Sequence, residues 1–145
     1  MGRQHYQHLQ QVPGAQLCAV ADPGPQAEAF AAECAVPWFA DHRVMLDKVQ
    51  PQAVIVANPN NQHVLTALDC VQAGVPVLVE KPVGVHLDEV RTLVEASRRT
   101  GVPALVGHHR RPNPLIAKAH QVSGDGAPGR LINATAMSQL QKPDS

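Results

Sequence analysis

Residues 53–82 read AVIVANPNNQHVLTALDCVQAGVPVLVEKP, and this stretch decides the fold. Ala53 to Ala57 and Pro76 to Val79 are short, near-continuous apolar runs. Strands buried on both faces look like this, and parallel sheets bury both faces. Between them Val64, Leu65, Leu68 and Val71 recur at helical spacing, and Gly74 suits the left-handed residue that ends a helix. The stretch therefore reads as strand, polar loop, helix, strand.

The alternation continues on both sides. Ala15 to Ala21 (AQLCAVA) precedes it and Pro103 to Val106 (PALV) follows it as further buried strands. A helix between Pro82 and Gly101 has Leu87, Val90, Leu93 and Val94 on its apolar face. Asp88 and Glu89 stand in its first turn and Arg98 and Arg99 in its last, which complements the helix dipole. Val36 to Phe39 is a shorter strand candidate. Pro37 has no N–H to give a ladder, so such a strand belongs at a sheet edge or is none. Helices are expected over Gln4 to Gln11 and from about Asp41 to Val49. Alternation at this spacing predicts an α/β fold, a doubly wound parallel sheet of Rossmann type.

Composition narrows the function. Of 145 residues, 44% are hydrophobic and 17% charged, enough for a packed core. Twelve basic and twelve acidic residues cancel, so no charge excess draws the chain to nucleic acid or anionic lipid. Aromatics, at 3%, are too few for base-stacking platforms. No apolar run approaches the roughly 20 residues that span a bilayer, and Met1 to Tyr6 holds no signal-peptide core. The expectation is a soluble, cytoplasmic protein with no nucleic-acid or membrane partner. Three unpaired-looking cysteines, Cys18, Cys34 and Cys70, speak against a disulfide framework or a Cys-rich zinc site.

Ligands of open parallel sheets bind beyond the carboxyl ends of the strands, and four polar segments fall there. Asp22 ends the first run, 20 positions after Gly2. A carboxylate at that spacing accepts hydrogen bonds from an adenosine ribose, although Pro23-Gly24-Pro25 equally fits a turn that it caps. Asn58, Pro59, Asn60, Asn61 and His63 follow the second run. Either of the last two asparagines is placed to cap the next helix, and His63 alone reads as a packed or solvated helix residue. Glu80-Lys81-Pro82 follows the third run. A lysine there can hydrogen-bond an oxygen whose charge grows as an alcohol is oxidised, though a surface Glu-Lys pair looks the same. Gly107 to Pro114 (GHHRRPNP) follows the fourth. Neighbours such as His108 and His109 point to opposite sides of an extended segment, and His5 and His8 lack a third ligand, so no metal is expected.

In this order the motifs resemble the Gfo/Idh/MocA family of oxidoreductases. They are Gly2-Arg3-x-His5, Ala19-Val20-Ala21-Asp22, Val54 to Asn60 with His63, Val77 to Pro82, and Val106 to Arg111 with Asn113-Pro114. The resemblance implies a Rossmann domain, here 1–122, followed from 123–145 by the start of an α+β domain. It implies NAD, less readily NADP, as cofactor, and a sugar, polyol or related hydroxy compound as substrate. Homo-oligomers are implied for the full-length enzyme. Lys81 becomes the catalytic residue, and a cis bond is implied before Pro82. Gly2, Asp22, Asn58, Pro59, Asn60, His63, Glu80, Lys81 and Arg111 become cofactor-binding residues. Departures from the pattern are Asn58 where Thr is common and Pro112 where a large side chain is common.

The family's first strand and its early phosphate-loop glycines have no counterpart here, nor does its later Asp-x-x-x-His segment. The expectation is thus a fragment of an NAD-dependent dehydrogenase, inactive alone and prone to aggregate. The alternative is a non-catalytic nucleotide-binding remnant. In the strand order 3-2-1-4-5-6 the absent strand separates Ala15–Ala21 from Ala53–Ala57, leaving a gap of roughly 9–10 Å. Arg130 to Met137 would be a strand awaiting a partner.

Overall fold

The computed structural model describes residues 1–108, 113–126, 129–130, 132–133 and 135. Contacts divide the chain into two units, Met1–His108 and His109–Ser145. The first unit runs α1 (Gly2–Leu9), β1 (Val20–Ala21), α2 (Ala27–Glu33), β2 (Trp38–Phe39), α3 (His42–Val49), β3 (Val54–Val56), α4 (His63–Gln72), β4 (Val77–Val79), α5 (Leu87–Thr100) and β5 (Ala104–Val106). A 3-10 turn, Asn60–Gln62, leads into α4. In the second unit α6 (Pro114–Gly124) starts at Asn113, whose side chain accepts from Leu115 N–H.

Among the described residues every strand pair is parallel, and this is a Rossmann-type α/β fold. The strands form two separate ladders, β1–β2 and β3–β4–β5, with β1 and β3 in different ladders, as the expected order requires. Ala15 to Ala21 pairs only through its last two residues. Its partner explains why: Val20 N–H donates to Pro37 O, and before Pro37 the partner segment turns through Ala35, with φ of 55°. An extended partner is lacking there, so the ladder cannot lengthen. β2 begins just after Pro37 and pairs only with β1 among the described residues.

The core lies between β3–β4–β5 and the α4–α5 pair. Val56, Val77 and Val79 meet Val64, Ala67, Cys70 and Val71 of α4 and Leu93 and Ala96 of α5. Each such Val or Leu contributes about 1.5–3 kcal/mol by leaving water. Burial of both sheet faces is corrected here. Ile55 and Leu105, one residue out of phase with the core set, are 39% and 64% exposed, because α4 and α5 cover one face only. The helix faces are corrected too. Leu65, Leu87 and Val94 are exposed, and the expected Val64, Val71 and Leu93 are joined in the buried stripe by the small side chains of Ala67, Cys70 and Ala96. Their size lets the helices approach closely. A Cβ on Gly84 would stand 2.7 Å from Val64 Cγ2 and 2.9 Å from Val90 Cγ2, so the chain linking β4 to α5 passes between the two helices only as glycine.

Helix ends follow the expected chemistry. Asp41 caps α3 by accepting from Arg43 N–H at 2.8 Å, and Gly74 and Gly101 take left-handed φ of 77° and 72°.

Candidate functional site

The carboxyl ends of β3, β4 and β5 are level with one another. Glu80 N–H donates to Val56 O at 2.9 Å, and Gly107 N–H to Val79 O at 2.8 Å. The polar segments that follow these strands therefore share one rim, and their side chains are tied across it.

His63 makes the tightest tie. It is 1% exposed, and its ring nitrogens Nδ1 and Nε2 lie 2.7 Å from Pro82 O and 2.8 Å from Asn58 O. One imidazole thus bridges the segments after β3 and β4. Asn58 is anchored a second time, its Nδ2 donating to Thr66 Oγ1 at 2.9 Å. Its Oδ1 is buried and has no partner. Exchanging the amide atoms only transfers the vacancy to nitrogen, so one end of this amide awaits a polar group in either orientation. Neither Asn60 nor Asn61 caps α4. The 3-10 turn feeds the helix directly, with Gln62 N–H donating to Pro59 O at 2.8 Å, and Pro59, Asn60 and Asn61 stay exposed.

Glu80, Lys81 and Pro82 form the opposite bank. The Lys81–Pro82 bond is cis, as the resemblance implies. Glu80, with its side chain 12% exposed, commits both oxygens: Oε2 accepts from Lys81 N–H at 3.0 Å and Oε1 lies 2.8 Å from His5 Nε2. Burial alone pushes this carboxyl up, but the Lys81 amide, the His5 hydrogen bond and the charges of His5 and Lys81 outweigh it. The net effect holds Glu80 below its ordinary value. Lys81 is exposed, and its Nζ has no hydrogen-bond partner among the described residues. His5, on the first turns of α1, is the residue that sequence reasoning missed. Its signal was the Gly2-Arg3-x-His5 motif, which counted toward the family resemblance without giving His5 a role in the site.

Asp22 stands on the other ladder. Its N–H donates to Phe39 O at 3.0 Å and its carbonyl accepts from Trp38 Nε1 at 2.9 Å. Oδ1 takes the Gly24 N–H at 2.6 Å, so the turn-capping role is real, while Oδ2 has no partner among the described residues. Gly2 is exposed at the first position of α1. Arg111, with His109, Arg110 and Pro112, lies outside the described residues, as do Leu131, Ala134, Ala136 and Met137, half of the Arg130 to Met137 run; its described residues, Arg130, Ile132, Asn133 and Thr135, lie in no strand. His108 is exposed.

A cavity of about 510 Å³ opens elsewhere, lined by Arg43, Asp47, Pro51, Asp69 and Val75 among others. It sits where the chain enters β3 and β4, at the amino ends of the strands. Its Asp69 is already held by His42 Nε2 and Arg43 Nε, each at 2.8 Å. The rim at the carboxyl ends of β3, β4 and β5, with its unpartnered amide and ammonium, is the better candidate.

Residues 1–108 match the model of an oxidoreductase family described as having an NAD-binding Rossmann fold. The chain belongs to this Gfo/Idh/MocA family. It is 36% identical over 136 residues to inositol 2-dehydrogenase 2 of Saccharopolyspora erythraea, covering 91% of this chain and 40% of that protein. It is 33% identical over 138 residues to the NAD(+)-dependent scyllo-inositol 2-dehydrogenase of Bacillus subtilis, with the same coverage of 91% and 40%. The WlbA dehydrogenase of Bordetella pertussis, solved with NADH and UDP-GlcNAcA, superposes with a TM-score of 0.83, at 25% identity over 89% of this chain and 38% of that one. The chain thus spans about two fifths of the length of these relatives. Family membership makes it part of an NAD-binding fold, and residues on the rim, on the β1–β2 ladder and on α1 fit the group. Asn58 offers a buried, unpartnered amide atom, Asp22 an open carboxylate oxygen, and Gly2 a backbone with no side chain in the way. Among the described residues no helix is long and apolar enough to cross a membrane, and no three His, Cys, Asp or Glu side chains converge as a metal requires.

Proposed function

We propose that this chain is the nucleotide-binding part of an NAD-dependent dehydrogenase that oxidises a hydroxyl of a sugar or polyol, inositol-like in class. The observation that carries the reading is the rim on which Lys81 stands unpartnered beside the segment after β3, the two joined through His63. Bound NAD would supply the hydride acceptor. Asp22 would hold the adenosine ribose through Oδ2 while Oδ1 keeps its turn. Asn58, Pro59 and Asn60 would line the nicotinamide half, with Gly2 at the phosphates, and Arg111 keeps the cofactor-contact role that the family resemblance implies. His63 and Glu80 would serve by fixing those neighbours. Lys81 would donate a hydrogen bond to the reacting oxygen and stabilise its growing negative charge. No cation pairs with Asp22 among the described residues, and its carboxylate would repel a 2′-phosphate, so NAD is preferred over NADP. A soluble, cytoplasmic, homo-oligomeric enzyme goes with this reading.

The test is to assay the intact protein for NAD reduction with a panel of inositols and hexoses, and to titrate it with NADH. Lys81→Ala is expected to lower turnover on the order of 100-fold or more while NADH still binds. Near-normal turnover in that variant overturns the assignment. NADH binding without turnover in the unsubstituted protein favours a nucleotide-binding remnant instead.

A further inference from the structure

The first turns of α1 and the end of β4 are 75 residues apart, yet a carboxylate joins them. Glu80 faces Lys81 with one oxygen and His5 with the other, at 3.0 and 2.8 Å. Side-chain exposure is 21% for His5 and 12% for Glu80, so water competes only weakly for either group. A hydrogen bond to a charged acceptor in such a setting is stronger and shorter than a neutral one. Of the two residues before the Pro82 carbonyl held by His63, one is thus fixed by its side chain and the other by its amide.

We propose that Glu80 and His5 are positioning residues: His5 orients the Glu80 carboxylate, Glu80 holds the Lys81 amide, and the pair transmits the seat of α1 to the Lys81 side chain. The inference rests on the reading of Lys81 given above and deepens it. A carboxylate that satisfies a neighbour's N–H with one oxygen and a remote histidine with the other has no oxygen left idle for a ligand. The charged groups facing it are His5 from α1 and Lys81 from its own segment, and Gly107 at the end of β5 brings none. Free rotation of the Glu80 side chain would release the Lys81 peptide and with it the direction of the ammonium. What the strut adds is a mechanical link between the helix that opens at Gly2 and the lysine at the other bank.

The Lys81 backbone amide reports the strut directly. In ¹H–¹⁵N spectra of the chain recorded from pH 3 to 7, its shift should follow the Glu80 carboxyl, with a midpoint below the ordinary 4.5. His5→Phe removes the partner and should move that midpoint upward and shift the Lys81 amide at neutral pH. His5→Gln keeps a donor without the charge and should restore the amide position with an intermediate midpoint. Val77 and Val79 amides serve as references for a merely structural effect. An unchanged Lys81 amide and Glu80 midpoint in His5→Phe overturns the proposal, and so does a change spread equally over the references. Should His5→Phe fail to fold, Glu80→Gln decides: the pH dependence of the Lys81 amide must vanish, and its persistence overturns the proposal. Normal turnover in Lys81→Ala would defeat the catalytic reading and leave these shifts as they are, so the two failures are separable.

Discussion

The two ladders hold their candidate ligands in opposite ways. Around β3–β4–β5 the segments are tied to distant parts of the chain: His63 spans Asn58 and Pro82, and His5 reaches Glu80. Around β1–β2, two-residue strands present Asp22 on a local turn whose side-chain contact is Gly24, two residues on. Long-range ties make geometry depend on the whole core, whereas a local turn makes it depend on a few neighbours. The first bank is therefore preorganised by folding, and the second by turn chemistry. Perturbing matched residues in each half should separate stability from ligand affinity.

The largest expected effect is at His63. Replacing it with Ala empties a fully buried ring site and removes the ring nitrogens that face the Asn58 and Pro82 carbonyls. Lost packing and lost hydrogen bonding together should cost about 3–5 kcal/mol, read by urea denaturation. A cost below about 1 kcal/mol would mean that the tie is decorative and that the comparison fails.

Glycines give the next contrast. At Gly84 an added Cβ meets Val64 and Val90 methyls at 2.7 and 2.9 Å, both on packed helices. Gly84→Ala should cost about 1–3 kcal/mol by overpacking. At Gly24 the added Cβ meets only the Asp22 carboxyl, Oδ1 at 2.8 Å and Cγ at 3.8 Å, the end of an exposed side chain that can swing aside by giving up its bond to Gly24 N–H. Gly24→Ala should therefore change stability by less than about 1 kcal/mol while moving the carboxylate. Equal losses of melting temperature in the two variants would erase the distinction.

This contrast also explains what could be read from the sequence. Strand ends were legible because a buried run cannot continue once Asp22, Asn58 or Glu80 appears. Helix ends were legible from Gly74 and Gly101. Separation of the ladders followed from strand order. Burial faces were not legible, because Leu65 and Val94 look as apolar as Val71, and only close packing selects Ala67 and Ala96 over them. The capping of α4 was misread since Asn60 and Asn61 sit in a 3-10 turn, where backbone carbonyls satisfy the first donors. The contact between His5 and Glu80 escaped for a different reason. Their bond joins elements far apart in sequence, and no local periodicity records such a pair.

The smallest effect on stability, and the cleanest on binding, is expected at Asp22. Its backbone is held by Phe39 O and Trp38 Nε1, neither of which depends on the carboxylate. Removing the side chain in Asp22→Ala costs the single bond to Gly24 N–H, at an exposed position where water can replace the acceptor. The change in unfolding free energy should stay within about 0.5–1 kcal/mol. Affinity behaves differently, because a ribose hydroxyl would lose a charged acceptor that the turn has already oriented. Losing a hydrogen bond to a charged group is worth about 1.5–3 kcal/mol, or roughly 10- to 150-fold in the dissociation constant for NADH. Fluorescence titration beside a thermal melt reads both quantities on one sample. A large loss of stability with unchanged NADH affinity would make Asp22 a turn cap alone, and would place the cofactor's adenosine half elsewhere than at the end of β1.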